Sequence, residues 1–297
     1  MKQSLNKLIY LILIIQLLTG CSISFDSFSK SLSQSVRSSN DPETITQALP
    51  SYLILLDGLI EDNPDDEVLL NTSSKLLIAY VGLLEARLES NPDISETERE
   101  LIEQQQKKLS DKALDRSAIA MCLHKQELCN LRNSSYVEFE TKLKIASIED
   151  IEYLYGLGSA WISWLQINAE DWNAIAQMPQ IKLIMETVIN IDENYEYAGG
   201  HMYLGVINSL LPVTMGGQPE KGKQHFENAI RLTEGKNLMA KVLYAQYYSR
   251  ITYNEKLHTE LIEDVLNSTE IQLSINLMNT LAKQKAEALK QSAVEFF

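Results

Sequence analysis

The chain has 297 residues, with 26 basic and 40 acidic side chains, a formal charge of −14 and 45% hydrophobic residues. Its 12 Gly, 7 Pro and 3 Cys exclude collagen-like, disordered and disulfide-scaffold proteins. An acidic balance along most of the length argues against nucleic acid as a partner, because a phosphate backbone needs clustered Lys and Arg. Leu, Ile, Glu, Gln, Lys and Ala dominate nearly every window, a composition that favours helices, and the length supports a sizeable core.

The first element is a leader. Lys2 and Lys7 precede an apolar run from Leu8 to Leu18, interrupted only by Gln16 and closed by Leu18-Thr19-Gly20-Cys21. The run is too short for the roughly 20 residues of a membrane span, so a secretory signal over residues 1–20 is preferred. Its last four residues resemble the bacterial lipoprotein lipobox. That resemblance implies a diacylglycerol-modified Cys21, cleavage before it, and a periplasmic body anchored to a membrane by lipid. Ser22 is not the Asp that commonly retains lipoproteins at the inner membrane, which leaves the inner and outer membranes both open. Residues 21–40, rich in Ser, are expected to form a flexible tether, with one helical domain over 41–297.

From there helix follows helix, with no alternating segment long enough for a strand. Asp41-Pro42-Glu43 is a good helix start, and Ile45, Leu49, Leu53, Leu56 and Ile60 recur at helical steps, with Pro50 expected to kink or divide the element. Further helices are expected at 66–89, at 95–123 (opened by Ser95 and Glu98 at capping-box spacing), and at 136–145, 148–167, 171–190, 195–211, 219–232, 238–253, 256–266 and 272–293. These make about eleven helices, an all-α solenoid or bundle. Gly222, Phe226 and Ala229 show the small–aromatic–small spacing of a tetratricopeptide second helix, although Glu234 stands where a Pro is expected. Leu204-Gly205 supplies the Leu-Gly pair of the preceding helix, displaced by the loop Pro212–Gly217. The repeats are degenerate, and ordinary amphipathic packing explains a single match equally well.

Longer segments carry a more specific likeness. Asp41-Pro42-Glu43, Leu55-Leu56-Asp57-Gly58-Leu59 and Asn63-Pro64-Asp65 lead to Tyr153-Leu154-Tyr155-Gly156-Leu157-Gly158-Ser159-Ala160-Trp161. Then come Gly199-Gly200-His201-Met202-Tyr203-Leu204-Gly205, Met215-Gly216-Gly217-Gln218-Pro219, His225-Phe226 and Tyr244-Ala245-Gln246-Tyr247-Tyr248. Over roughly residues 30 to 290 the chain resembles the T component of tripartite ATP-independent periplasmic (TRAP) transporters, with no close correspondence from Cys122 to Glu140. The resemblance implies a periplasmic lipoprotein of tetratricopeptide-like helices that associates with the substrate-binding P component. It also implies a homotrimer and a pore or apolar cleft in each protomer, with hydrophobic ligands.

The residues themselves point to a concave aromatic surface. Tyr153, Tyr155, Trp161 and Trp164 lie within one helix, and Tyr244, Tyr247 and Tyr248 form a second cluster. Tyr155, Trp161, Trp164, Tyr203, Tyr244, Tyr247 and Tyr248 are the candidate ligand- or pore-lining residues. Core packing between helices is the competing reading, strongest for Trp161 behind Gly158, Ser159 and Ala160. Met215, Gly216 and Gly217 are candidates for close approach to a partner, or else form a turn before Pro219. Cys122 and Cys129, seven apart, would lie ~10.5 Å apart along an unbroken helix, beyond the ~7 Å a disulfide spans, so they can pair only if the helix ends between them.

No catalytic residue, metal or cofactor is assigned. His124, His201, His225 and His258 are dispersed, Gly156-Leu157-Gly158-Ser159 does not continue as a dinucleotide fingerprint, and paired acids such as Asp65-Asp66 stand at helix starts. Two functions remain: an accessory subunit of a TRAP uptake system, or a periplasmic tetratricopeptide scaffold without a ligand of its own.

Overall fold

The computed structural model describes residues 25–91, 93–269 and 271–297, so the expected leader and Cys21 lie outside the described residues. Within them the apolar periodicity is realised as thirteen α-helices and no strand. They are α1 (Phe25–Ser38), α2 (Pro42–Asp62), α3 (Glu67–Ser90), α4 (Glu96–His124), α5 (Tyr136–Leu143), α6 (Ile151–Ile167) and α7 (Trp172–Ile175). There follow α8 (Met178–Ile191), α9 (Tyr195–Ser209), α10 (Pro219–Leu232), α11 (Leu238–Leu243), α12 (Glu255–Asn267) and α13 (Asn276–Phe296). A π-helical segment, Tyr244–Ser249, continues α11.

Short polar side chains set the starts. Asp41 accepts the Thr44 amide at 3.0 Å, and Asp66 accepts those of Val68 and Leu69 at 3.0 and 2.9 Å. Each satisfies donors that a helix leaves open at its first turn. Ser95 caps α4 through the Glu98 amide, while the Glu98 carboxylate turns away to pair with Arg87 at 2.5 Å.

Two expectations need correction. The Ser-rich stretch expected as a tether over 21–40 is helical from Phe25 to Ser38, because Leu32 and Val36 lie on one face and bury against the body. Burying two such side chains contributes roughly 1.5–3 kcal/mol each, so the helical body includes residues 25–38 and does not start at 41. The helix expected over 171–190 is split into α7 and α8, since Pro179 occupies the first turn of a new helix. These two changes raise the helix number from eleven to thirteen. Of the two outcomes expected at Pro50, division does not occur, since α2 runs on to Asp62.

Successive helices pack as neighbours: α3 on α4, α4 on α6, α6 on α8, α8 on α9 and α9 on α10. Close approach of α9 and α10 depends on missing side chains. A Cβ on Gly205 would lie 2.6 Å from the Phe226 ring, and one on Gly222 would lie 2.8 Å from the Gly205 carbonyl oxygen. Phe226 and Ala229, the other members of the small–aromatic–small pattern, are fully buried. The chain end then returns to its beginning. α13 packs on α1 and α3 as well as on α11 and α12, the Asn276 amide donates to the Ser38 carbonyl at 3.2 Å, and Lys285 pairs with Glu89. α3 is the one described helix long and apolar enough to cross a membrane, but 67% of that apolar window is buried inside the fold, which makes it the central core helix. Cys122 and Cys129 are disulfide-bonded with Cα atoms 4.2 Å apart, since α4 ends at His124 and a short 3-10 turn, Gln126–Leu128, folds the chain back.

Candidate functional site

Because α13 closes against α1 and α3, the helices α1, α3, α6, α9 and α13 surround a space that their side chains do not fill. It is a chamber of about 770 Å³ that is open to the surface on one side. Its apolar lining comes from Leu76, Ile78 and Ala79 of α3 and Leu277, Met278 and Leu281 of α13. Its polar and aromatic lining comes from Ser33, Gln34 and Arg37 of α1, Lys75 of α3, Glu152 and Tyr155 of α6, and Tyr195, Glu196 and Tyr203 of α9. A space of this size with an apolar wall and a few placed polar groups has the form of a small-molecule site.

The polar end is tightly organised. Tyr155 stands edge-on to Tyr195, with centroids 5.4 Å apart, and tilted against Tyr203 at 6.0 Å. A Cβ on Gly199 would collide with the Tyr155 hydroxyl, so this glycine makes room for the ring. Burial pushes the Tyr155 hydroxyl well above its ordinary range and the Tyr203 hydroxyl up to about 12, so both stay protonated as donors. Arg37 is held on both sides of its fork by Glu196, at 2.9 and 2.6 Å, and its Nε donates to the Ser274 carbonyl at 3.0 Å. Burial acts to lower the Arg37 pKa, but the hydrogen bond and charge of Glu196 outweigh it and leave the guanidinium above its usual value. Lys75 pairs with Glu152 at 2.6 Å.

Glu196 sits on unusual backbone. Glu196, Tyr197 and Ala198 have φ of 49°, 55° and 56°, a left-handed turn of non-glycine residues at the start of α9. Each such residue costs roughly 1–2 kcal/mol. The turn is held by Asn237, which donates to the Tyr197 carbonyl at 3.0 Å, and by Gln272, which donates to the Tyr197 hydroxyl at 2.9 Å.

Of the aromatic candidates, Tyr155 and Tyr203 line the chamber and five do not. Trp161 is fully buried, its indole N–H donating to Gln177 at 2.8 Å and its ring edge-on to Phe139. Trp164 donates to Asp111 at 2.7 Å, and the Arg132 guanidinium lies over both indoles. Tyr244 and Tyr248 face α10, where Phe226 stacks on Tyr244, and their hydroxyls donate to Glu227 at 3.3 Å and Glu220 at 2.9 Å. Tyr247 packs in the same cluster. These five are helix-packing residues. The loop candidates also have a folding explanation. Met215 ends a 3-10 turn, Gly216 has φ +88°, a Cβ on Gly217 would collide with the Leu211 carbonyl, and Gln218 N–H returns to the Asn208 carbonyl at 2.9 Å.

Arg37, Glu196, Lys75, Leu76 and Met278 are site residues that sequence reasoning missed. Arg37 lay in the presumed tether, and Glu196 depends on a left-handed turn with no glycine to announce it. Among the described residues no group of three or more His, Cys, Asp or Glu side chains is arranged to hold a metal ion.

The described residues form an all-α body whose last helix packs on α1 and α3 and leaves an amphipathic pocket between them. The match that names its class covers most of the chain: residues 38–297 fit the family model of the TRAP transporter T-component, and the protein belongs to that family. No curated protein matches the chain.

His201 and His225 face each other with Nδ1 atoms 2.9 Å apart, so one ring donates and the other accepts. Burial lowers the pKa of His201. Burial, the neighbouring His201 and the charges of Lys182 and Lys221 lower that of His225 to about 4. The unfolded chain therefore binds more protons than the folded one between pH 4 and 6.5. The stabilisation is complete above pH 6.5 and is lost as pH falls through that window toward 4. Denaturant unfolding between pH 7.5 and 4 should show a loss on the order of 1–2 kcal/mol from His225, allowing for its partial exposure, and His225→Gln should flatten that slope. An unchanged slope in the variant would assign the acid sensitivity to other groups.

Proposed function

We propose that the protein is a periplasmic, lipid-anchored accessory subunit of a TRAP-type uptake system that docks the substrate-binding P component and holds or passes an apolar ligand. Membership of the T-component family supports the transporter role. The observation that carries ligand handling is the chamber of about 770 Å³, with its wall of Leu76, Ala79, Leu277, Met278 and Leu281. A scaffold working only through its outer surface has no need of unfilled apolar space, which forgoes dispersion contacts that a filled core would make. The lipobox-like Leu18-Thr19-Gly20-Cys21 supports the anchor.

Two experiments test this reading. Because the indoles of Trp161 and Trp164 lie outside the chamber, intrinsic tryptophan quenching is a poor reporter. The purified protein should instead bind the apolar fluorophore N-phenyl-1-naphthylamine, and Ala79→Trp, which fills the chamber from α3, should weaken that binding at least about tenfold at unchanged helicity. Absence of binding in the native protein, or equal binding by the variant, would contradict ligand handling. In its host the native protein should incorporate an alkyne-labelled fatty acid and Cys21→Ala should not. Equal labelling of the two would remove the anchor.

A further inference from the structure

Just past the π-helical segment, Arg250 turns toward the end of α13. Its Nη2 donates to the Leu289 carbonyl at 3.3 Å and to the Ser292 hydroxyl at 2.6 Å, and its guanidinium lies 4.8 Å from the centre of the Phe296 ring. Its Nε N–H is buried and meets no acceptor, and no carboxylate among the described residues pairs with it. His258 of α12, only 1% exposed, stands edge-on to Phe297 at 5.2 Å, and its Nε2 is likewise buried without a partner. The two groups belong to one corner of the fold. α12 packs on the π-helical segment, the Asn254 N–H donates to the Ser249 carbonyl at 2.8 Å, and the rings of Phe296 and Phe297 are 5.2 Å apart.

We propose that Arg250 and His258 form a binding site for a small monovalent anion, a halide or a carboxylate, covered by Phe296 and Phe297. A buried N–H without an acceptor is costly, and a partly buried guanidinium without a counter-charge more so. Native proteins supply such groups with water or an ion. Charge decides between the two here. A water molecule would satisfy the nitrogens but leave the guanidinium uncompensated, whereas an anion does both, taking the Arg250 Nε–H and the Nε2–H tautomer of His258. The ionisation of both residues reflects the missing negative charge: burial lowers the pKa of Arg250, and burial together with the Arg250 charge lowers that of His258. With the imidazole neutral, the site offers one positive charge, which suits a monovalent ion. The cover provides the way in, since Phe296 and Phe297 are 41% and 37% exposed and can turn aside without unfolding a helix. Once bound, the ion fastens the end of α13 to α12 and to the π-helical segment. The site shares no residue with the chamber and stands independently of ligand handling there.

The test uses the full-length protein in sodium gluconate, whose anion is too bulky for the site, with chloride or formate replacing gluconate at constant ionic strength. The thermal unfolding midpoint should rise by ~3 °C at ten times the half-saturating concentration of the ion that binds. A response to chloride identifies a halide site and a response to formate a carboxylate site. Arg250→Gln, which keeps an amide for Leu289 and Ser292, should abolish the response, and His258→Phe should weaken the affinity about tenfold. Lys256→Gln, which removes an exposed cation from α12, should leave it intact. Crystals of the native protein grown in bromide should show an anomalous peak within hydrogen-bond reach of Arg250 Nε and His258 Nε2, a result that does not depend on any variant folding. Equal midpoints in all three salts, a response that survives Arg250→Gln, or a bromide map without that peak would overturn the site.

Discussion

The return of the last helix to α1 and α3 is the constraint on which the structure turns. Arg37 and Ser38 of α1 reach Ser274 and Asn276, more than two hundred residues later, and Lys285 of α13 reaches Glu89 of α3. A row of helix pairs that bends far enough to close has an inner and an outer face, and the inner faces of five cylinders do not meet at the centre. Filling that centre would take side chains larger than the Ala79, Gly82, Leu76 and Met278 found there. The body is therefore hollow because of which residues face inward, not because its helices pack poorly elsewhere. Outside the chamber the interior is close-packed, with Trp161, Phe139, Phe226 and Leu154 almost without contact to solvent.

The polar end of the hollow shows how such a space is kept open in water. Tyrosine hydroxyls and paired charges there accept solvent or ligand without collapse, while the apolar wall opposite has no comparable partner. Strain at Glu196, Tyr197 and Ala198 is tolerable because the neighbouring helices are fixed independently. Asn237 caps α11 through the Ala240 amide at 3.2 Å and holds the Tyr197 carbonyl with the same side chain, and α11 is fixed in turn by Asn279, whose Oδ1 accepts the Leu238 amide at 3.0 Å. The packing of α11 against α13 thereby reaches the wall of the chamber, linking the ring closure to the position of its charges.

Much of the scaffold was legible in the sequence because it depends on local rules. Caps at Asp41, Asp66 and Ser95, helical periodicity, and the spacing of Gly222, Phe226 and Ala229 are all readable without knowing what lies across the contact. The site was less legible because its character is set by neighbours far away in the chain. An aromatic on the inner face of a helix looks the same whether it meets a chamber, as Tyr155 does, or a neighbouring helix, as Tyr244 does. Leu32 and Val36 are too few to signal a helix amid serines, although they suffice to dock one. The left-handed turn carries no glycine, so local chemistry gave no warning of it.

The claim that ring closure leaves real apolar space is tested most directly by crystals of the protein under xenon pressure. Xenon enters dry apolar cavities and not filled cores. This account expects xenon density between Leu76, Ala79 and Leu281, with α1 and α13 in place. An empty map there, with those three side chains in van der Waals contact, would contradict it.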